Sequence, residues 1–167
     1  MPIEYSIQPQ ICLDDYKKPH LGKLISANED KKLIGQVGYA EWNLKKDEEN
    51  GVNTAKMVRA NDCLGIVTFK RFHGIGSGLM ERLFEELTSD GYDKLIIEGV
   101  LPELKRFYEK ILGRLKKEGK ISSYNPSIRE YPFLTVLTPD LLFSSSFPWV
   151  YFDYEVLLEK NIQTTSK

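Results

Sequence analysis

The chain switches between two hydrophobic periods. Near the start Ile3, Tyr5 and Ile7 alternate with Glu4, Ser6 and Gln8, the period-two pattern of a half-buried strand. Residues 14–19 form a polar break, and Pro19 cannot donate to a central ladder. Residues 21–26 and 33–42 read as the two strands of a hairpin. Asn28-Glu29-Asp30-Lys31 between them suits a turn, because Asn and Asp tolerate left-handed backbone. Residues 45–53 are charged, contain Gly51 and are expected to be an exposed loop. Residues 54–69 have room for a long or bulged strand, clearest over 64–69.

The period then lengthens. Ile75, Leu79, Leu83 and Leu87 recur every fourth residue, with Met80 and Phe84 beside them, and predict one apolar face of a helix stopped by Gly91. Lys94 to Glu98, with Leu95, Ile96 and Ile97 inside, reads as a buried strand. Pro102 suits a first helical turn, and Leu104, Phe107, Tyr108 and Ile111 follow at helical spacing, with Gly113 as the stop. Residues 133–137 suggest a strand and 138–143 a short helix. Val150, Phe152, Tyr154, Val156 and Leu158 alternate as a last strand. A strand–helix–strand–helix centre flanked by antiparallel strands predicts a mixed α/β sheet. The expected organisation is one domain over residues 1–160 and a frayed tail over 161–167.

Composition narrows the classes of function. The chain has 167 residues, 41% hydrophobic and 28% charged, which is a globular balance. Lys+Arg number 23 and Asp+Glu 24, a net charge of −1 that argues against a dedicated nucleic-acid binder. No apolar run approaches the roughly 18 residues of a membrane span. No basic stretch leads into an apolar core at the N-terminus, so a cytoplasmic protein is expected. Two cysteines, Cys12 and Cys63, make no disulfide framework, and with only His20 and His73 a zinc site is not expected.

The chemistry concentrates in Ile66-Val67-Thr68-Phe69-Lys70-Arg71-Phe72-His73-Gly74-Ile75-Gly76-Ser77-Gly78-Leu79. A strand runs into a glycine-rich turn that opens a helix. The first helical turn has unpaired N–H groups and partial positive charge, so it attracts anions, and glycine lets a phosphate approach the backbone. Three glycines at the mouth of one helix exceed what a tight turn needs, since each one inside the helix costs about 1 kcal/mol of propensity. The Gly-Lys-Ser/Thr ending of a P-loop is absent. The dinucleotide fingerprint is a near miss, its third glycine one position early at Gly78, and Glu98 stands where a ribose ligand would be sought.

Arg71-x-x-Gly74-x-Gly76 resembles the Gln/Arg-x-x-Gly-x-Gly/Ala motif of the GCN5-related N-acetyltransferases (GNAT). Phe107-Tyr108-Glu109-Lys110-Ile111-Leu112-Gly113 resembles the Phe-Tyr-Glu-Lys-x-Gly-Phe segment of that family. The motif resemblance covers residues 64–113. It implies a mostly antiparallel mixed sheet with helices on both faces and a splayed strand pair that receives acyl-CoA. It implies that the pantetheine arm pairs with Leu64, Gly65 and Ile66. The pyrophosphate would rest on the N–H groups of Phe72, His73, Gly74, Ile75, Gly76, Ser77 and Gly78, with Arg71 adding charge. Tyr108 would be the general acid that protonates the leaving thiolate, and Glu98 the general base, directly or through water. Acetyl-CoA would be the co-substrate, with no metal, and a small or peptide amine the acceptor. The last strands of this family often pair across a homodimer. The polar segments 14–20 and 45–53 are expected to stand in for the family's early helices as a trimmed substrate lid.

Other residues carry weaker signals. His73 suits a surface or phosphate-facing role better than that of a base, and Cys63 suits buried filler. Glu41, Trp42, Trp149 and Tyr151 are candidates to line the acceptor site, although residues in such places more often serve as packing or rim. Lys105, Arg106, Lys110, Arg114, Lys116, Lys117 and Lys120 oppose only Glu109 and Glu118. That face could hold the 3′-phosphate of CoA, attract an acidic partner, or simply be solvated. Three readings stay open: an acyl-CoA-dependent N-acyltransferase, a non-catalytic acyl-CoA-binding module on the same fold, and a nucleotide-cofactor binder.

Overall fold

A computed structural model describes residues 2–60, 65–69, 74–131 and 149–159. Strands β1 (Glu4–Leu13), β2 (Pro19–Glu29) and β3 (Lys32–Glu41) form an antiparallel meander. The β2–β3 hairpin turns on Asp30 and Lys31 alone, both with positive φ (51° and 63°), because such a two-residue loop matches the twist of the strands it joins. Helix α1 (Lys45–Glu49) follows, then β4 (Thr54–Met57), β5 (Ile66–Thr68), helix α2 (Ile75–Ser89) and β6 (Lys94–Val100). A 3-10 turn at Pro102–Leu104 leads into α3 (Lys105–Lys117), and β7 (Ile121–Tyr131) and β8 (Trp149–Leu158) complete the sheet. The strand order is β1-β2-β3-β4-β6-β8-β7, with β5 paired to β3. Among the described residues only β4 and β6 run parallel.

One apolar cluster unites the sheet and both long helices. Helix α2 buries Ile75, Leu79, Met80, Leu83, Phe84 and Leu87, the face its sequence period predicts. Helix α3 buries Tyr108, Ile111, Leu112 and Leu115. They meet Val37, Tyr39, Ala55, Leu95, Ile97, Tyr154 and Val156 from the strands.

Four local expectations differ from what is found. The charged segment 45–53 contains a short helix rather than only loop; Asp47 anchors it by accepting from Lys94 and Thr54. Gly113 does not stop α3, which runs on to Lys117. A Cβ at Gly113 would meet the Tyr124 hydroxyl at an ordinary contact distance of 3.7 Å, so packing does not require glycine there. Strand β7 lies where the sequence pattern marks no strand; Pro126 interrupts the alternation there, but an edge strand tolerates proline. Pro19 is likewise accommodated as the first residue of β2. The strand expected at 133–137, the helix at 138–143 and the tail at 161–167 lie outside the described residues.

Candidate functional site

Strands β4 and β5 follow one line along β3. Met57 stands opposite Tyr39, and the Val58 N–H donates to the Gly38 carbonyl (3.0 Å). The Gly38 N–H in turn donates to the Gly65 carbonyl (2.9 Å), and Ile66 stands opposite Val37. The line therefore breaks after Val58 and resumes at Gly65, both at the Gly38 position of β3. On the other side of that line the two halves differ. Thr54, Ala55 and Lys56 pair with Lys94, Leu95 and Ile96 of β6, whereas β5 has no partner there among the described residues. The sheet thus opens between β5 and the far half of β6. Backbone groups alternate sides along an antiparallel strand. Gly65 accepts from β3 and the Phe69 N–H donates to Ile34 (2.8 Å), so Ile66 and Thr68 present their N–H and C=O to the gap. Such groups seek an extended partner. Of the three residues expected to pair with the pantetheine arm, Gly65 has its carbonyl committed to Gly38, Ile66 faces the gap, and Leu64 lies outside the described residues.

Helix α2 opens beside this gap. Its N-cap is Gly74, with φ 70°, and no side chain of the described residues caps the helix. The first-turn N–H groups of Ile75, Gly76 and Ser77 are thereby left for an external acceptor. The three glycines do not share one role. Gly74 needs its positive φ and has open space where a Cβ would be. Gly76 is tied to packing, because a Cβ there would lie 2.9 Å from the Phe107 ring. A Cβ at Gly78 would lie 2.3 Å from the Tyr5 hydroxyl. The excess of glycine that suggested a phosphate loop is therefore explained in part by how closely β1 and α3 approach α2. Ile75 is in the core, so only its backbone can serve a ligand. Arg71, Phe72 and His73 lie outside the described residues.

A groove of about 970 Å³ runs from this helix mouth along α3, lined by Ser77, Phe107, Lys110, Ile111, Arg114 and Lys117 among others. Arg114 is tied to Glu81 (3.1 Å), while Lys110 and Lys117 are exposed. The basic run noted in the sequence is thus partly a lining of the groove that continues the helix mouth.

Tyr108 and Glu98 have contrasting settings. Tyr108 is 4% exposed, edge-on to Phe107 (5.2 Å) and stacked near Tyr154 (6.3 Å). Burial, and then the neighbouring Tyr154, push its phenol well above the ordinary value, so it stays protonated. Its hydroxyl has no hydrogen-bond partner among the described residues. Glu98 is on β6, just past the last residue that pairs with β4. Its carboxylate holds the Lys56 ammonium at 2.9 Å, and that ammonium lies 4.5 Å from the Trp42 ring centre. Lys56 was not legible as a site residue, since nothing in the sequence sets it against Glu98.

The remaining candidates are mostly engaged in packing. His20 stacks on Trp42 at 3.8 Å and bridges the Glu41 carbonyl and Asp14 (both 2.9 Å). Asp14 is held below the usual carboxylate range by that histidine first and by the Lys18 N–H next. The segment expected to form a lid is thereby fastened to the end of β3. Tyr151 stands on β8 opposite Arg129. Cys63 and the Trp149 side chain lie outside the described residues. Among the described residues no group of three potential ligands gathers that could hold a metal ion, and no helix is long and apolar enough to cross a membrane.

No protein-family model matches the sequence, and no curated protein matches it. Solved structures do match. One is named as an acetyltransferase from Salmonella typhimurium with its cofactor acetyl-CoA. It is 12% identical over 84% of this chain and 66% of that chain, with a TM-score of 0.50. FeeM, an N-acyl amino acid synthase from uncultured soil microbes, is 10% identical over 88% of this chain and 80% of that one, also at 0.50. An acetyltransferase of the GNAT family from Streptococcus pneumoniae is 15% identical over 81% and 66%, with a TM-score of 0.48. The chain thus spans about two thirds of the length of two of these structures. At such identities the likeness concerns architecture. It agrees with the mixed, mostly antiparallel sheet and its opened strand pair: this chain has the fold of the GCN5-related N-acetyltransferases.

Proposed function

We propose that the protein is an acyl-CoA-dependent N-acyltransferase that moves acetyl from acetyl-CoA to a primary amine. The observation that carries this reading is the parting of β5 from β6 directly beside the uncapped mouth of α2. An extended pantetheine arm finds unpaired backbone groups at Ile66 and Thr68. The pyrophosphate finds the N–H groups of Ile75, Gly76 and Ser77, and the 3′-phosphate finds Lys110 and Lys117 along the groove. A dinucleotide fits less well, because Glu98 is held by Lys56 rather than free for a ribose.

In the reaction the ammonium first gives up a proton, to Glu98 or to water. The lone pair of the amine then forms the N–C bond at the thioester carbon, the C–S bond breaks, Tyr108 protonates the departing thiolate, and the second proton that the nitrogen sheds on becoming an amide returns through water to Tyr108. As charge develops, the thioester oxygen is stabilised by a backbone N–H of the β5 edge, where donors are fixed in advance. The Lys56 ammonium occupies the Glu98 carboxylate at 2.9 Å. That contact favours a second reading, a non-catalytic acyl-CoA-binding module on the same fold. Release of free thiol from acetyl-CoA across a panel of primary amines separates the two. Amine-dependent release that falls sharply in Tyr108→Phe supports the transferase. Tight binding of acetyl-CoA with no release in the presence of any amine supports the module.

A further inference from the structure

We infer that Gln10 is a positioning residue: its side-chain amide fixes where β5 parts from β6, and so sets the opening that receives the donor. This rests on the acyl-CoA reading above for its consequence, though not for its geometry. Gln10 is on β1, the edge strand, with β2 and β3 between it and the split line. It is 8% exposed, and its side chain crosses the sheet rather than turning to solvent. The amide nitrogen donates to the carbonyls of Lys23 on β2 (3.2 Å), Tyr39 on β3 (3.0 Å) and Val58 (3.0 Å), where the chain leaves β4. The amide oxygen accepts from the Ala60 N–H (3.1 Å). Three carbonyls face one end and an N–H the other, so only one orientation of the amide satisfies them all.

The path of this side chain is cleared by glycines. A Cβ at Gly22 would lie 1.8 Å from the Tyr39 carbonyl oxygen, so β2 and β3 meet there backbone to backbone. A Cβ at Gly38 would lie 2.6 Å from the Val58 oxygen and 2.7 Å from the Gln10 amide nitrogen. A Cβ at Gly65 would lie 2.4 Å from Met57 Cγ and 2.9 Å from the Met57 carbonyl. Gly38 and Gly65 thus let the chain depart and return at one point, and Gln10 holds the departing side. A second clamp lies further out, where Arg59 donates to Gln36 (3.3 Å) and Gln36 to Ser26 (3.2 Å). Without the amide, the buried bond to the Tyr39 carbonyl and the part-buried bonds to the Val58 carbonyl and from the Ala60 N–H are lost at the neck, and the unmade bonds are expected to be relieved by movement of the chain there.

The test compares wild type with Gln10→Met, which keeps length and volume but neither donates nor accepts, and with Gln10→Glu, which restores only the acceptor. Amide hydrogen exchange is followed residue by residue, and the KM for acetyl-CoA is measured separately from kcat and from the KM for the amine. The expected result for Gln10→Met is exchange on the order of tenfold faster at Ala60, Val67 and Phe69, whose N–H groups are the bonded ones there, the scale of one or two lost hydrogen bonds. Exchange in α2 and β6 should stay unchanged, and the KM for acetyl-CoA should rise while that for the amine does not. Gln10→Glu should restore protection at Ala60 but not at Val67 and Phe69. Faster exchange spread evenly over the sheet, or unchanged exchange at Val67 and Phe69, overturns the inference. If wild type fails to bind CoA, the acyl-transfer reading falls, and the exchange pattern alone decides the role of Gln10.

Discussion

The two halves of the strand line that carries the site are built alike and held differently. In β4, Thr54, Ala55 and Met57 are buried, and the strand has β3 on one side and β6 on the other. In β5, Ile66, Val67 and Thr68 are all only half-buried, and β3 is the one partner among the described residues. Helix α1 braces the first half through Lys94, which is 7% exposed and pairs with Asp47 (3.1 Å) and Glu155 (3.3 Å). The difference lies in pairing rather than in residue type. A strand with both edges satisfied is scaffold. The same strand, once it loses one neighbour beside a helix mouth, becomes a template for an extended ligand.

The largest expected effect comes from closing the point where the halves join. Gly38→Val places a side chain against the Val58 carbonyl and the Gln10 amide, and should cost about 3 kcal/mol or more by denaturant unfolding. If this variant is as stable as wild type, the halves do not meet at that neck. Next comes Tyr108→Phe, which should lower kcat by on the order of 100-fold. Its melting temperature should stay close to that of wild type, because the hydroxyl has no partner among the described residues. A large loss of stability with unchanged kcat would make Tyr108 a core residue only. The pair Lys110→Glu and Lys117→Glu should weaken CoA binding on the order of tenfold at low salt. The deficit should shrink as salt screens the groove, since these side chains are exposed.

The smallest effect tests the scaffold half. Asp47→Asn should cost about 1 kcal/mol and loosen α1 without changing donor affinity. Its pH dependence follows from opposing contributions. Burial raises the Asp47 carboxyl, but the hydrogen bonds from Lys94 and Thr54 outweigh it and hold the group below its usual value. The stabilisation is therefore fully present above about pH 3.9, the unfolded value, and is lost as pH falls through the lower folded value. Lys94 is raised; burial lowers it, and Asp47 and then Glu155 more than compensate. That contribution is present below about pH 10.4 and is lost as pH rises through the higher folded value. Unfolding midpoints across both limbs should be flatter in Asp47→Asn than in wild type.

Much of this architecture was legible because it rests on period. The every-fourth-residue run from Ile75 to Leu87 and the alternation from Val150 to Leu158 leave little choice of element. The Arg71-x-x-Gly74-x-Gly76 run points to the same fold as the sheet does. What escaped the sequence depends on contacts between distant segments. Nothing in residues 121–131 marks a long strand, because Pro126 breaks the pattern and only an edge position forgives it. Nothing in the glycine run shows that Gly76 and Gly78 answer to Phe107 and Tyr5. Gln10 reads as a polar residue on a half-buried strand until its amide is seen bonded to Tyr39 and Val58, far along the chain. The pairing of Lys56 with Glu98 is likewise made by the parallel register of β4 and β6.

The central claim is that the gap beside the α2 mouth takes a CoA thioester. It is tested most directly by thermal unfolding of the wild-type protein with acetyl-CoA, desulfo-CoA and NAD at matched concentrations. A ligand at about 100 times its dissociation constant should stabilise the fold by about 2.7 kcal/mol, a visible rise in Tm. The account predicts that rise with both CoA species and none with NAD. No shift with either CoA species, or a shift with NAD alone, would contradict it.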